Sequence, residues 1–191
     1  MNAPSIPVID LAEPASRATL AGIDAACREW GFFQVVNHGI DAARAAALHA
    51  AMIAFFGQEA EAKRLLTRTR DNPWGYYDRE LTKNTPDWKE VYDIGPADGS
   101  RLAPRLPAGL PDFADTLSAW MADCETLAFT LLEAVSTNLG MPADHLARDF
   151  VPAHTSFLRL NHYPRCETPA MPDGLATTRD GYLGVTYHTD A

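Results

Sequence analysis

Apolar residues recur with two different periods along this chain, and the switch between them predicts its elements. "IPVIDL" (Ile6 to Leu11) alternates every second residue, as a half-buried strand does. Leu20, Ile23, Cys27 and Trp30 then recur at helical spacing, with Ser16 placed to cap the start and Gly31 to end the helix. "FFQVVNHG" is aromatic and β-branched and reads as a strand running into a turn. Asp41 caps an alanine-rich helix reaching about Phe56. From Lys63 to about Arg105 the pattern is less regular, with short strands expected in "PWGYY" and "WKEVYDIG". Apolar residues from Phe113 to Leu139 fall on one helical face, between a cap at Asp112 and a stop at Gly140. They predict one long helix lying against a sheet, and "PADHLARDF" adds a further helical turn or two. From Thr155 the period returns to two. "SFLRLNHYP" and "GYLGVTYHTD" read as strands on either side of a loop rich in proline and glycine. A helical front half thus meets a strand-rich back half, whose two strands alone make a marginal sheet.

Composition narrows the function classes. At 191 residues, 47% hydrophobic and 21% charged, the chain can bury a core and is not of disordered type. Its net charge of −9, with no basic cluster, argues against nucleic acid as a partner. Cys27, Cys124 and Cys166 are odd in number and far apart, so a disulfide framework or thiolate zinc site is not expected. The N-terminus lacks a basic region followed by an apolar core, and no apolar run approaches a membrane span. The expected location is the cytoplasm, with no membrane partner.

Candidate chemistry gathers near the C-terminus. His188 and Asp190 are two apart at the end of an extended run, so on a strand they project to one face. Alone, they are either an ordinary polar strand end or two donors for one cation. With one more histidine they would form the two-histidine, one-carboxylate set that suits iron(II) and leaves positions open. In "RLNHYP", Arg159, Asn161 and Tyr163 share a parity, giving a polar face that either meets water or lines a barrel holding a small acidic ligand. His162 has the opposite parity and reads as structural. By their nearness to the predicted sheet, His154 and His162 are the alternatives for a third donor.

Taken together, these stretches resemble the Fe(II)- and 2-oxoglutarate-dependent oxygenases of the isopenicillin N synthase-like superfamily. The resemblance rests on "IPVIDL" with "ACREWGFFQVVNHGI", on "GYYDRELTKNTPDWKEVYDIG", on "LRLNHYPRC", on "LGVTYHTDA", and on the long helix between them. It implies an α+β fold, with N-terminal helices and strands packed on a double-stranded β-helix (jelly-roll) core that is only partly present. Three regions follow: 1–105 as the N-terminal dioxygenase region, 106–150 as the core-covering helix, and 151–191 as the start of the jelly roll. Carried over by position, His188 and Asp190 match two iron ligands, and Asn161 and Tyr163 match residues that hold 2-oxoglutarate. Tyr76, Tyr77 and Glu90 fall in a segment that shapes the substrate pocket, while Asn37, His38 and Gly39 match a structural turn. Pro164-Arg165-Cys166 departs from the usual Pro-Pro-Cys.

The implied activity couples decarboxylation of 2-oxoglutarate, with iron(II) and dioxygen, to hydroxylation, desaturation or cyclisation of a small molecule. The family's second iron histidine and its Arg-x-Ser motif lie downstream of the H-x-D and are not among these residues. The expectation is therefore that residues 1–191 alone are inactive, the rest being a C-terminal half or a second chain that completes the barrel. The alternative is a non-catalytic remnant or half-barrel module completed by a partner chain.

Overall fold

The computed structural model describes residues 5–82, 84–95, 102–152, 154–167 and 183–185. They fall into two compact units, one from Met1–Ala47 and Ser118–His154, the other from Leu48–Leu117 and Thr155–Ala191.

In the first unit, β1 (Val8–Asp10) pairs in parallel with β2 (Gln34–Val36), Ile9 facing Val35 across the ladder. Helix α1 (Arg17–Glu29) joins them. The Ser16 hydroxyl accepts the Thr19 amide at 3.1 Å, satisfying a donor the first turn leaves free. Gly31, at φ +77, ends the helix in the left-handed conformation glycine adopts without penalty. Ile9, Leu11, Ile23 and Ala134 form the buried cluster, with Leu127, Leu131 and Val135 packed against it.

In the second unit, β3 (Gly75–Tyr77), β6 (Glu90–Ile94) and β7 (Leu158–His162) form an antiparallel sheet in the order β3-β6-β7. Tyr76, Tyr92 and Leu160 lie in one row across it. They meet Phe55, Phe56, Phe113 and Leu117 in a core of edge-on and stacked rings. Burial pushes the Tyr92 hydroxyl pKa up, and that hydroxyl donates to the Arg105 carbonyl at 2.8 Å. A short helix α3 (Ala60–Arg64) and a hairpin of β4 (Leu81–Thr82) with β5 (Thr85–Pro86) complete the unit.

Two expectations change. The strand at 158–162 pairs with mid-chain β6 to build a three-stranded sheet, because β6 is apolar enough to be buried and needs neighbours on both sides. The long helix α4 (Phe113–Asn138) does not present one apolar face to one sheet. Its 26 residues span about 39 Å. Phe113 and Leu117 enter one core, and Leu127, Leu131 and Ala134 the other. Ser136 is fully buried on it, its hydroxyl donating to the Leu132 carbonyl at 2.9 Å. Helix α2 (Ala42–Phe56) starts as expected, with Asp41 Oδ1 accepting the Ala43 amide at 2.8 Å. "PADHLARDF" holds a single 3-10 turn at Ala147–Asp149. No closed barrel is formed by the described residues.

Gly75 opens β3 at φ +130, and a Cβ there would run into the Leu66 carbonyl oxygen. Gly75→Ala is expected to destabilise the protein by more than about 1 kcal/mol, because both φ and space are wrong for a side chain. A urea midpoint equal to the wild type's is the contrary result.

Candidate functional site

The pleat of β3, β6 and β7 sorts the candidate residues onto two faces. Tyr76 is 2% exposed and packs against Phe55 in the core. Glu90 opens β6 opposite His162, on the same face. The Glu90 carboxylate accepts a 2.6 Å hydrogen bond from the buried Lys63 ammonium, which also donates to the Phe56 carbonyl at 2.9 Å. Burial, followed by the charge of Glu90, raises the Tyr76 hydroxyl pKa well above its usual range. His162 stacks on Phe56 with ring centroids 5.0 Å apart, and its Nδ1 stands 3.8 Å from Glu90, beyond hydrogen-bond reach. Tyr76, Glu90 and His162 thus gather on the core side.

Tyr77 and Asn161 occupy the other face, in register through Val91. The Tyr77 ring is covered by the Arg68 guanidinium at 4.0 Å. Since Tyr76 and Tyr77 are consecutive in one strand, they cannot both line one pocket. Asn161 is exposed, and Tyr163, just past the strand, keeps 54% of its surface exposed.

Arg159 shares the Asn161 face and is held by two carboxylates. Its Nε and Nη2 donate to Asp93 at 2.7 and 2.8 Å, and its Nη1 lies 3.0 Å from Glu80. The bond to Asp93 holds the Arg159 pKa above its usual value. Arg68 reaches the same two carboxylates at 3.0 and 3.3 Å, and Lys89 reaches Glu80 at 3.1 Å. Burial works against ionisation of Glu80, but the bond from Lys89 and the fields of Arg159 and Arg68 outweigh it, and its pKa falls below the usual value.

His188 and Asp190 lie outside the described residues. The segment that leads to them is described at Leu183–Val185, and it comes to the end of β7. Gly184 lies so close to Tyr163 that a Cβ would stand 2.8 Å from the ring. The Leu183 carbonyl accepts the Trp88 amide at 2.8 Å, and the Trp88 indole N–H donates to the Pro164 carbonyl at 3.1 Å. Leu183 and Gly184 therefore meet the "NHYP" segment at Trp88 and Tyr163. Trp88 escapes a sequence reading confined to ligand types, although an indole N–H beside buried strands signals a need for an acceptor.

The alternative third donors are placed elsewhere. His154 sits beside Phe129, its Nε2 3.9 Å from Glu125, within the first unit. His162 faces the core. Among the described residues, no group of three His, Cys, Asp or Glu side chains could hold a metal ion. Among the same residues, no helix is long and apolar enough to cross a membrane. Asn37, at φ +53, donates through its carboxamide to Asp10 at 2.8 Å, in keeping with a structural turn at Asn37–Gly39.

Comparison with known proteins finds the N-terminal model of the non-haem dioxygenases ("non-haem dioxygenase in morphine synthesis N-terminal") matching residues 6–111. Flavanone 3-dioxygenase 2 of Oryza sativa subsp. japonica is 31% identical over 92% of this chain and 52% of its own length. Gibberellin 2-beta-dioxygenase 1 of Arabidopsis thaliana is 31% identical over 97% of this chain and 55% of its own. The chain spans about half the length of the curated relatives it matches. Among solved structures, JOX2 in complex with 2OG, Fe and JA superposes at TM-score 0.75 with 28% identity, over 86% of this chain and 50% of that one. A full-length Neurospora crassa protein in complex with alpha-KG superposes at 0.74 with 25% identity, over 83% and 54%. The partial coverage agrees with a mixed helix and strand fold that holds only part of a double-stranded β-helix.

Proposed function

The chain belongs to the non-haem dioxygenase N-terminal family, and from that premise we propose that it forms part of an iron(II)- and 2-oxoglutarate-dependent oxygenase acting on a small organic molecule. The observation that carries most weight is the meeting of the two candidate segments, Gly184 against the ring of Tyr163. It sets Leu183–Val185, which precede His188 and Asp190 in the sequence, beside Tyr163, one of the two residues assigned to the cosubstrate.

The donor chemistry fits. An imidazole and a carboxylate two residues apart suit iron(II). A phenol hydroxyl and a carboxamide suit the oxygen atoms of a 2-oxo acid. His188 and Asp190 would hold the metal, and Tyr163 would donate a hydrogen bond to 2-oxoglutarate, with Asn161 beside it. Bound together, iron(II) and 2-oxoglutarate supply dioxygen-dependent oxidation. Arg159 is assigned no part in clamping the cosubstrate's far carboxylate, because its Nε, Nη1 and Nη2 already face Asp93 and Glu80. Tyr76 and Glu90 act on this reading by shaping the core behind the site, which leaves Tyr77 as the segment's contribution to the substrate side.

With iron(II) and 2-oxoglutarate, the full-length protein is expected to form succinate only when both are present. Residues 1–191 alone are expected to form no more than free iron does, because they lack the third ligand. Succinate formation independent of iron, or none in the full-length protein, would overturn the reading.

A further inference from the structure

We propose that Trp88 is a positioning residue for the cosubstrate segment, its side chain holding Pro164 and its main chain holding Leu183. The proposal rests on the assignment of Asn161 and Tyr163 to the cosubstrate made above. Trp88 sits at the corner between the β4–β5 hairpin and β6. Its backbone N–H donates to the Leu183 carbonyl at 2.8 Å, five residues before His188. Its indole N–H donates to the Pro164 carbonyl at 3.1 Å, the residue after Tyr163.

The corner itself is anchored. The Asp87 amide donates to the Glu80 carbonyl at 3.0 Å. The Asp87 carboxylate accepts the Thr82 hydroxyl at 2.8 Å and lies 3.1 Å from the Lys89 ammonium. A flexible loop could not serve this purpose, because catalytic groups need support that keeps its own geometry. Pro164 adds to the case: it cannot donate through its own nitrogen, so its carbonyl is the one main-chain hydrogen-bonding group it offers.

The division of labour predicts a split. Removing the indole N–H breaks the bond to Pro164 and keeps the bond to Leu183, which the backbone makes. Two variants of the full-length protein test this: Trp88→Phe, and Trp88 replaced by benzothienylalanine, which keeps the ring shape and loses the donor. Isothermal titration then uses 2-oxoglutarate in one series and Mn(II), a redox-silent stand-in for iron(II), in the other. The 2-oxoglutarate dissociation constant is expected to rise about two- to tenfold, the net size of one hydrogen bond. Mn(II) affinity is expected to stay within about twofold.

Unchanged 2-oxoglutarate affinity in the benzothienylalanine protein overturns the proposal. So does a parallel loss of both affinities with a fall in melting temperature, which marks a merely structural tryptophan. If wild type binds no 2-oxoglutarate, the proposed function fails. The positioning role is then judged by amide hydrogen exchange at 161–163, which must rise in both variants; exchange that does not move overturns it.

Discussion

His188→Ala and Asp190→Ala are each expected to reduce iron(II)-dependent succinate formation by the full-length protein to the level of free iron. Metal affinity should fall by more than about a hundredfold, since loss of an outer-shell partner alone costs about 10–100-fold. One side chain is an imidazole and the other a carboxylate, so neither is expected to take over the other's place on the metal. Nor are His154 and His162 expected to. His162 is turned to the core face and stacked on Phe56, and His154 lies beside Phe129 in the first unit. Substitutions at Asn161 and Tyr163 should act differently, raising the 2-oxoglutarate requirement while leaving metal affinity largely intact. Titration with Mn(II) and an assay of succinate check both. Full turnover by either alanine variant would remove His188 and Asp190 from the metal site and leave the H-x-D as a polar strand end.

Local patterns were legible in the sequence wherever one residue decides the local geometry. Ser16, Gly31 and Asp41 bound helices as their chemistry requires, and the alternation in "LRLNH" places Leu160 in the core and Asn161 opposite. Partners distant along the chain were not legible. Periodicity shows that Arg159 shares a face with Asn161, but not that Asp93, 66 residues away, occupies its donors. Tyr76, Tyr77 and Glu90 entered the site as one segment. Strand parity separates Tyr76 from Tyr77, but only the Lys63–Glu90 bond shows what occupies Glu90. Helix α4 was legible in its bounds and not in its burial, because a single apolar stripe does not reveal that two different cores divide it. Trp88 was missed for a related reason: its bonds to Leu183 and Pro164 are to main-chain atoms, which no side-chain motif encodes.

The largest stability effect is expected at Asp93. Its carboxylate is 4% exposed and accepts from Arg159 at 2.7 and 2.8 Å and from Arg68 at 3.0 Å. Asp93→Ala leaves two guanidinium groups facing one another, with Glu80 alone to offset them. Removing one partner of a buried pair costs about 3–5 kcal/mol, and the low end applies because both arginines retain contact with solvent. At about 3 kcal/mol the melting temperature should fall by roughly 6–12 °C for a chain of this size. The exposed Asp24–Arg28 pair on α1 is the contrast, and Asp24→Ala should leave the melting temperature unmoved. Glu80 adds a pH dependence with a definite sign. Its folded-state pKa lies below the ordinary 4.5, so the unfolded chain takes up protons first as the solution is acidified. Its contribution is therefore complete above about pH 5 and is lost as pH falls below 4.5 through the depressed folded value. The urea midpoint should be level from about pH 5 to 7 and fall on the acid side, with a shallower acid limb in Glu80→Gln. An acid limb that Glu80→Gln leaves unchanged would assign the acid sensitivity to other carboxylates. A melting temperature unchanged by Asp93→Ala would mean that the Arg68–Arg159 network merely decorates the sheet, and Arg159 would then be free to meet a ligand beside Asn161.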